Sequence, residues 1–161
     1  MRPILTIHDN ILSISDDILH TISDDILHSI SEKTNIPIDT ELVKDMTYYL
    51  EKPYCAGLSA VQLGVPIRVI GAKRNYEIIF IVNPEISKHS NQTYRAHEGC
   101  LSIGMGKVLY VVKRYKIVTV KGFDLNGKPV SYKSRDLFGA VLQHELDHLD
   151  GITINQHGKK L

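Results

Sequence analysis

The segment Gln143–Gly151, QHELDHLDG, constrains this chain more than any other. Inside it, His144-Glu145-Leu146-Asp147-His148 spells H-E-x-x-H. Residues 135–149 carry Leu137, Val141, His144 and His148 on one stripe, which predicts an amphipathic helix after an N-cap at Ser134. Residues four apart on a helix are separated by about 40° and one turn. Both imidazoles therefore face the same way and can reach one metal ion. Glu145, beside the first of them, can reach a water at that ion. The rest of the fold has to pack around this helix and supply what the site still lacks.

Upstream the pattern is that of strands. Residues 65–72 and 77–82 are rich in β-branched side chains and predict strands, with a further strand over 92–96 and, over 108–121, one bent strand or two. Asn126-Gly127, between Lys116–Phe123 and Pro129–Lys133, predicts a hairpin. A second helix is predicted from Asp39-Thr40-Glu41 through Leu50, with Leu42, Met46, Tyr49 and Leu50 near a 3.6 period and Pro53 ending it. Strands in the middle with two main helices predict an α+β fold. The expectation is one domain over residues 1–161, with mostly antiparallel sheets packed around a central helix that carries H-E-x-x-H.

Composition narrows the class. A chain of 161 residues fits one domain, and 43% apolar with 23% charged residues is a globular balance. A net charge of +1 gives no broad pull toward nucleic acid or membrane, so neither is expected as a partner. The two cysteines, Cys55 and Cys100, are too few for a disulfide framework. No apolar run approaches a membrane span, and MRPILTIHDN lacks a signal peptide's apolar stretch and cleavage site. A cytoplasmic protein with reduced thiols is expected. Residues 16–23, DDILHTIS, and 24–31, DDILHSIS, differ at one position, Thr21 against Ser29, and a shorter copy begins near residue 9. Such short units do not make a solenoid. The repeat, about 9–31, reads as a solvated acidic segment.

Two imidazoles do not complete a catalytic metal site, which usually has three protein ligands. Downstream, position 154 is isoleucine and no glutamate follows Glu145. Asp150 points away from the His148 face, and His157 lies in a polar tail. Upstream, Glu98-Gly99-Cys100-Leu101-Ser102 offers a cysteine, and a thiolate is a good ligand for zinc or ferrous iron. Cys100, His144 and His148 are therefore the predicted ligand set.

These residues resemble the peptide deformylase family. That family carries G-x-G-L-A-A-x-Q, E-G-C-L-S and Q-H-E-x-D-H-L-x-G in this order. The second stands intact as Glu98–Ser102 and the third as Gln143–Gly151, while the first is degraded to Cys55-Ala56-Gly57-Leu58-Ser59-Ala60-Val61-Gln62. The likeness runs from about Leu42 to Ile154, in a divergent, C-terminally short member. It implies a hydrolase that removes the formyl group from N-formylmethionine on nascent polypeptides. It implies one divalent ion per chain, Fe2+ first, with Zn2+, Ni2+ or Co2+ as substitutes. It makes Glu145 the general base and acid, and Gln62 with the backbone N–H of Leu101 the oxyanion donors. Gly57 would let a substrate backbone approach as an added strand.

Leu137, Ala140 and Val141 precede His144 by seven, four and three residues and share its face. With Ala56, Gly57 and Glu98 they are the expected substrate-binding residues. The expected partners are N-formylmethionyl peptides and nascent chains, and the expected state is a monomer. Cys55 stands where the family has glycine, at the expected mouth of the methionine pocket, and would narrow it. Two further readings follow from the residues: a deformylase-like metal-binding protein with weakened catalysis because the first motif is degraded, and a zinc endopeptidase.

Overall fold

The computed structural model describes residues 1–6 and 25–161. In chain order the main elements are α1 (Thr40–Leu50), β1 (Gly57–Ser59), β2 (Val69–Arg74), β3 (Glu77–His89), β4 (Thr93–Gly99), β5 (Leu109–Tyr115), β6 (Val118–Phe123), β7 (Pro129–Ser134), α2 (Leu137–Leu149), α3 (Ile154–His157) and β8 (Lys159–Lys160). Short 3-10 turns cover Ala60–Leu63 and Gly104–Gly106. The strands form a five-stranded sheet, ordered β1-β2-β3-β6-β7, and a three-stranded sheet, ordered β4-β5-β8. Every strand pairing is antiparallel. The α+β class with antiparallel sheets around the H-E-x-x-H helix is what the sequence predicts. Among the described residues, no helix is long and apolar enough to cross a membrane.

The helix α2 lies between the two sheets. Phe138, Leu142, Leu146 and Leu149 pack it against Ile70, Ala72, Ile81 and Val120 of the five-stranded sheet. That apolar stripe is the anchor, which leaves His144, Glu145 and His148 to another face of the same helix. A second cluster joins Leu42, Met46 and Leu50 of α1 to Leu58, Val69 and Val82. A third sits on the small sheet: Cys100, Ile103, Tyr110, Val112 and Ile154.

Local chemistry sets the element ends. Asp39 caps α1 by accepting from the Glu41 N–H at 3.0 Å. The hairpin expected at Asn126-Gly127 joins β6 to β7, with Gly127 at φ 82. The Asp124 carboxylate accepts from the Asn126 and Lys128 N–H groups, each at 2.9 Å. The predicted strand over 108–121 is two strands, because the chain turns between β5 and β6 at Lys116-Ile117.

Three expectations change. The helix begins two residues late, capped by Asp136 rather than Ser134. Asp136 accepts from the Phe138 N–H at 3.1 Å, and the Ser134 hydroxyl donates to Asp136 instead. Strand β3 runs on through Pro84 to His89, because register shifts against β6 between Val82 and Glu85 and again near Ile86 absorb the residue that cannot donate. The polar tail is ordered into α3 and β8, which pairs with β5.

The repeat is the largest correction. Its first copy, 16–23, lies outside the described residues, but part of the second is packed. Leu27 is 0% exposed, and Ile26 rests on the α2 cluster. The Ser31 N–H donates to the Leu149 carbonyl at 2.8 Å, and the His28 ring meets the Thr153 hydroxyl at 3.3 Å. The fit is close enough that a side chain on Gly151 would run into the His28 carbonyl. One isoleucine and one leucine in an acidic context suffice to dock a turn where a groove exists, which composition does not register. Leu27→Ala is therefore expected to cost about 2–4 kcal/mol in a urea melt, as for other buried leucines. A solvated segment would lose almost nothing.

Candidate metal centre

Three short elements bring the site residues together. The 3-10 turn after β1 carries Gln62, the end of β4 carries Glu98 and leads into Cys100, and α2 carries His144, Glu145 and His148. One ligand atom each from Cys100, His144 and His148 lies within 4.8 Å of the others. His148 Nε2 is 3.2 Å from the Cys100 sulfur. The two rings stand edge to face, 4.9 Å between centroids. This is the predicted ligand set, drawn into one buried cluster.

Burial opposes charge on Cys100, yet the imidazoles of His148 and His144 pull its thiol well below the usual value. His144 is raised well above its ordinary value, its own burial opposing and the bonds to Cys100 and Glu98 prevailing. Thiolate and imidazole are the donor set that suits a zinc-like or ferrous ion. Cys55 is the opposite case. Burial pushes its thiol up to about 12, and the neighbouring Glu145 carboxylate adds to the shift. Its sulfur donates to the Gly57 carbonyl at 3.2 Å, and at 1% exposure it belongs to the α1 core cluster. It contributes to the cleft lining from a buried position, as a small packed hydrophobe.

Glu98 lines the cleft, with its carboxylate engaged by neighbours. Its Oε2 is 2.9 Å from His144 Nδ1, and both oxygens accept from Arg114, at 2.7 and 2.8 Å. Burial would raise its carboxyl, but the bonds from Arg114 and His144 outweigh that and hold it at about 2. The carboxylate therefore orients the His144 ring and leaves Nε2 free for a ligand role. Arg114, only 4% exposed in its side chain, also bridges to Asp147. His157 reaches Asp147 at 3.4 Å, so it too has a partner. Nothing local in the sequence pointed to Arg114, which stands on β5 opposite Tyr94 and reaches along the sheet face to Glu98.

Gln62 is held by its own oxygen. Its Oε1 accepts from the Ser59 N–H and hydroxyl, each at 3.0 Å. Its Nε2 donates to the Ser102 hydroxyl at 3.1 Å and lies 3.8 Å from the Cys100 sulfur. Ser59, a departure from the family's alanine, is thus part of the hold on the amide.

A cleft opens beside these residues. Ala56, Gly57, Leu101, Ala140 and Val141 line it together with Gln62, His144 and Glu145. Gly57 is required there, because a β-carbon on it would lie 2.5 Å from Val141 Cγ1 and 2.6 Å from Glu145 Oε1. Leu137 sits at the lip, 74% exposed, rather than inside. Glu145 is buried with no hydrogen-bond partner for Oε2 among the described residues. Burial raises its carboxyl to about 7, with the two imidazoles restraining the rise.

A thiolate, two imidazoles and a carboxyl poised near neutrality, at the wall of an open cleft, are the parts of a mononuclear hydrolase centre. Comparison with known proteins points to one family. The family model described as polypeptide deformylase matches residues 4–161. A Desulfotalea psychrophila protein named peptide deformylase is 39% identical over 129 residues, covering 74% of this chain and 74% of that one. A Syntrophomonas wolfei protein of the same name is 42% identical over 96 residues, 60% of this chain and 61% of its own length. The crystal structure of the deformylase from the Vibrio parahaemolyticus bacteriophage VP16T, in complex with actinonin, superposes with a TM-score of 0.77 at 32% identity, covering 96% of this chain and 100% of that one. The chain belongs to the polypeptide deformylase family.

Proposed function

We propose that this protein removes the formyl group from N-formylmethionyl ends of nascent polypeptides, holding one divalent ion, Fe2+ first, on Cys100, His144 and His148. The observation that carries the reading is the convergence of those three ligand atoms within 4.8 Å, in a cleft that Glu145 also lines. When bound, such an ion would supply a water acidified to near neutrality and a polarising charge for the formyl oxygen.

The chain's own groups do the rest. Glu145, at about 7, can take a proton from water and return it to the departing amine with little cost in either direction. Gln62 presents an amide whose oxygen is held by Ser59 and whose Nε2 gives one N–H to Ser102, so the other N–H, beside the Cys100 sulfur, is the one that serves the developing oxyanion in this reading. The backbone N–H of Leu101 is the second donor in this reading. Ala140 and Val141 line an apolar wall for the methionine side chain, with Ala56 and Leu137 nearer the mouth. Glu98 serves by fixing His144.

The reading with weakened catalysis is not favoured, because Ser59 and Gly57 of the altered motif have fitting roles. The reaction belongs where formylated chains are made, in a bacterial-type cytoplasm, an organelle or a phage-infected cell, and a monomer suffices. The direct test is formate release from formyl-Met-Ala-Ser by protein loaded anaerobically with ferrous iron; no turnover would refute it. Gln62→Leu is expected to lower kcat by about a hundredfold with KM little changed. A change in KM alone would make Gln62 a substrate-holding residue.

A further inference from the structure

The cleft lies between two open sheet edges. Strand β1 ends the five-stranded sheet and β4 ends the three-stranded one. Gly57 of β1 and His97 and Gly99 of β4 all line the cleft. An edge strand offers unpaired backbone groups to an extended peptide, which adds as a further strand.

The outward face of β4 and its neighbours carries an unbalanced charge. Arg95 stands directly opposite Lys113 of β5, and His97 stands opposite Val111, which in turn faces Lys159 of β8. Arg95, His97, Lys113 and Lys159 are exposed, and no acidic residue occupies that face. Like charges placed directly across an antiparallel pair oppose folding. None of the three cations has an ion pair among the described residues. The nearby acids are taken: Glu98 points inward onto Arg114, and Asp147 is shared by Arg114 and His157. The strip begins at the cleft wall with His97 and runs away from it.

We propose that this strip selects formylated chains bearing acidic residues a few positions beyond the methionine. The inference rests on the deformylase reading of the cleft. A chain whose first residue lies beside Cys100, and which runs antiparallel to β4, brings residue four beside His97 and residue six beside Arg95. Side chains alternate between the faces of a strand. With the methionine turned inward to the α2 wall, even-numbered residues turn outward to the strip. Aspartate or glutamate at positions four and six would meet the positive charge of Arg95 and Lys113, and lysine there would meet repulsion.

The test compares formyl-Met-Ala-Ala-Asp-Ala-Asp with formyl-Met-Ala-Ala-Lys-Ala-Lys, using formyl-Met-Ala-Ala as the short control. At low ionic strength the aspartyl peptide should have the higher kcat/KM, by about three- to tenfold, shrinking toward equality near ~0.5 M salt. The double variant Arg95→Glu, Lys113→Glu should reverse the preference and leave the tripeptide unchanged. Arg95→Gln should abolish part of it without reversal. Equal handling of the two hexapeptides by the parent protein would overturn the proposal. So would a variant that slows the tripeptide as much as the hexapeptides. If no peptide is turned over, the deformylase reading fails by itself. The affinities of the same hexapeptides, labelled at the C-terminus and read by anisotropy, then decide the strip separately. Salt-dependent binding of a single-stranded RNA, without discrimination between the hexapeptides, would assign the strip to nucleic acid instead.

Discussion

Replacing Glu145 with alanine is expected to leave the metal in place and to remove most of the turnover, by about a hundred- to ten-thousandfold. The carboxyl is not among the three converging ligand atoms, so metal content should stay near one ion per chain. What disappears is the group that accepts and returns the proton. The same residue carries a stability signature. Its folded pKa is about 7, above the ordinary glutamate value of 4.5, because burial penalises the charged form. A raised carboxyl makes no penalty below about 4.5, an increasing one between there and about 7, and the full penalty above. Metal-free Glu145→Gln should therefore melt higher than the metal-free parent at pH 8, and the gap should close as the pH falls to 4.5. Full activity in Glu145→Ala would remove Glu145 from the mechanism, and a lower melting temperature for Glu145→Gln at pH 8 would contradict its burial as an unsatisfied acid.

Removing the thiol at position 100 should abolish tight metal binding, a larger loss than the roughly 10- to 100-fold that follows when an outer partner of a ligand is removed. Two imidazoles remain in Cys100→Ala, but they lack the charged donor that they themselves stabilise. Cys55→Ala separates this effect from the mere loss of a thiol. Its sulfur is bonded to the Gly57 carbonyl and its thiol is held at about 12, so it stays protonated at neutral pH. That variant should keep the ion and lose a modest amount of stability from a small core cavity, about 1 kcal/mol. Metal content after dialysis against a weak chelator reads both variants. Retention in Cys100→Ala with loss in Cys55→Ala would reverse the ligand assignment.

The buried position of Cys55 also changes what a glycine there would do. From the motif alone, glycine opens a narrowed pocket mouth. In the fold, the thiol is buried where the α1 core meets the cleft lining, so Cys55→Gly removes packing together with the hydrogen bond to Gly57. Sequence comparison could say that the position was unusual; only the surrounding side chains say which way it faces.

The parts of the centre that were legible in sequence are those whose geometry is local. His144 and His148 share a face because a helix repeats every 3.6 residues, and Glu145 follows the first of them at a fixed angle. Gly57 is required by close approach, which a motif can record. The hairpin at Asn126-Gly127 was legible because its loop needs a residue at positive φ, which Gly127 supplies at φ 82. The cap at Asp136 was misplaced at Ser134 because both residues are good N-caps and the choice depends on where β7 releases the chain.

What remained illegible is whatever depends on partners distant in the chain. Arg114 binds Glu98 across the β4–β5 register and Asp147 across the gap to α2, and no periodicity announces either contact. Ser59 and Ser102 hold Gln62 from two separate segments. The repeat looked like solvent-facing sequence, yet Leu27 is buried, and its neighbours Ser31 and His28 dock on Leu149, Gly151 and Thr153. The sequence by itself determined the α+β class, the helix that must lie at the centre and the chemical identity of the groups in the site. Their distances, their protonation and the cation strip beside the cleft were decided by the tertiary structure. Those properties arise from burial and from contacts between segments far apart in the chain, which no local pattern encodes.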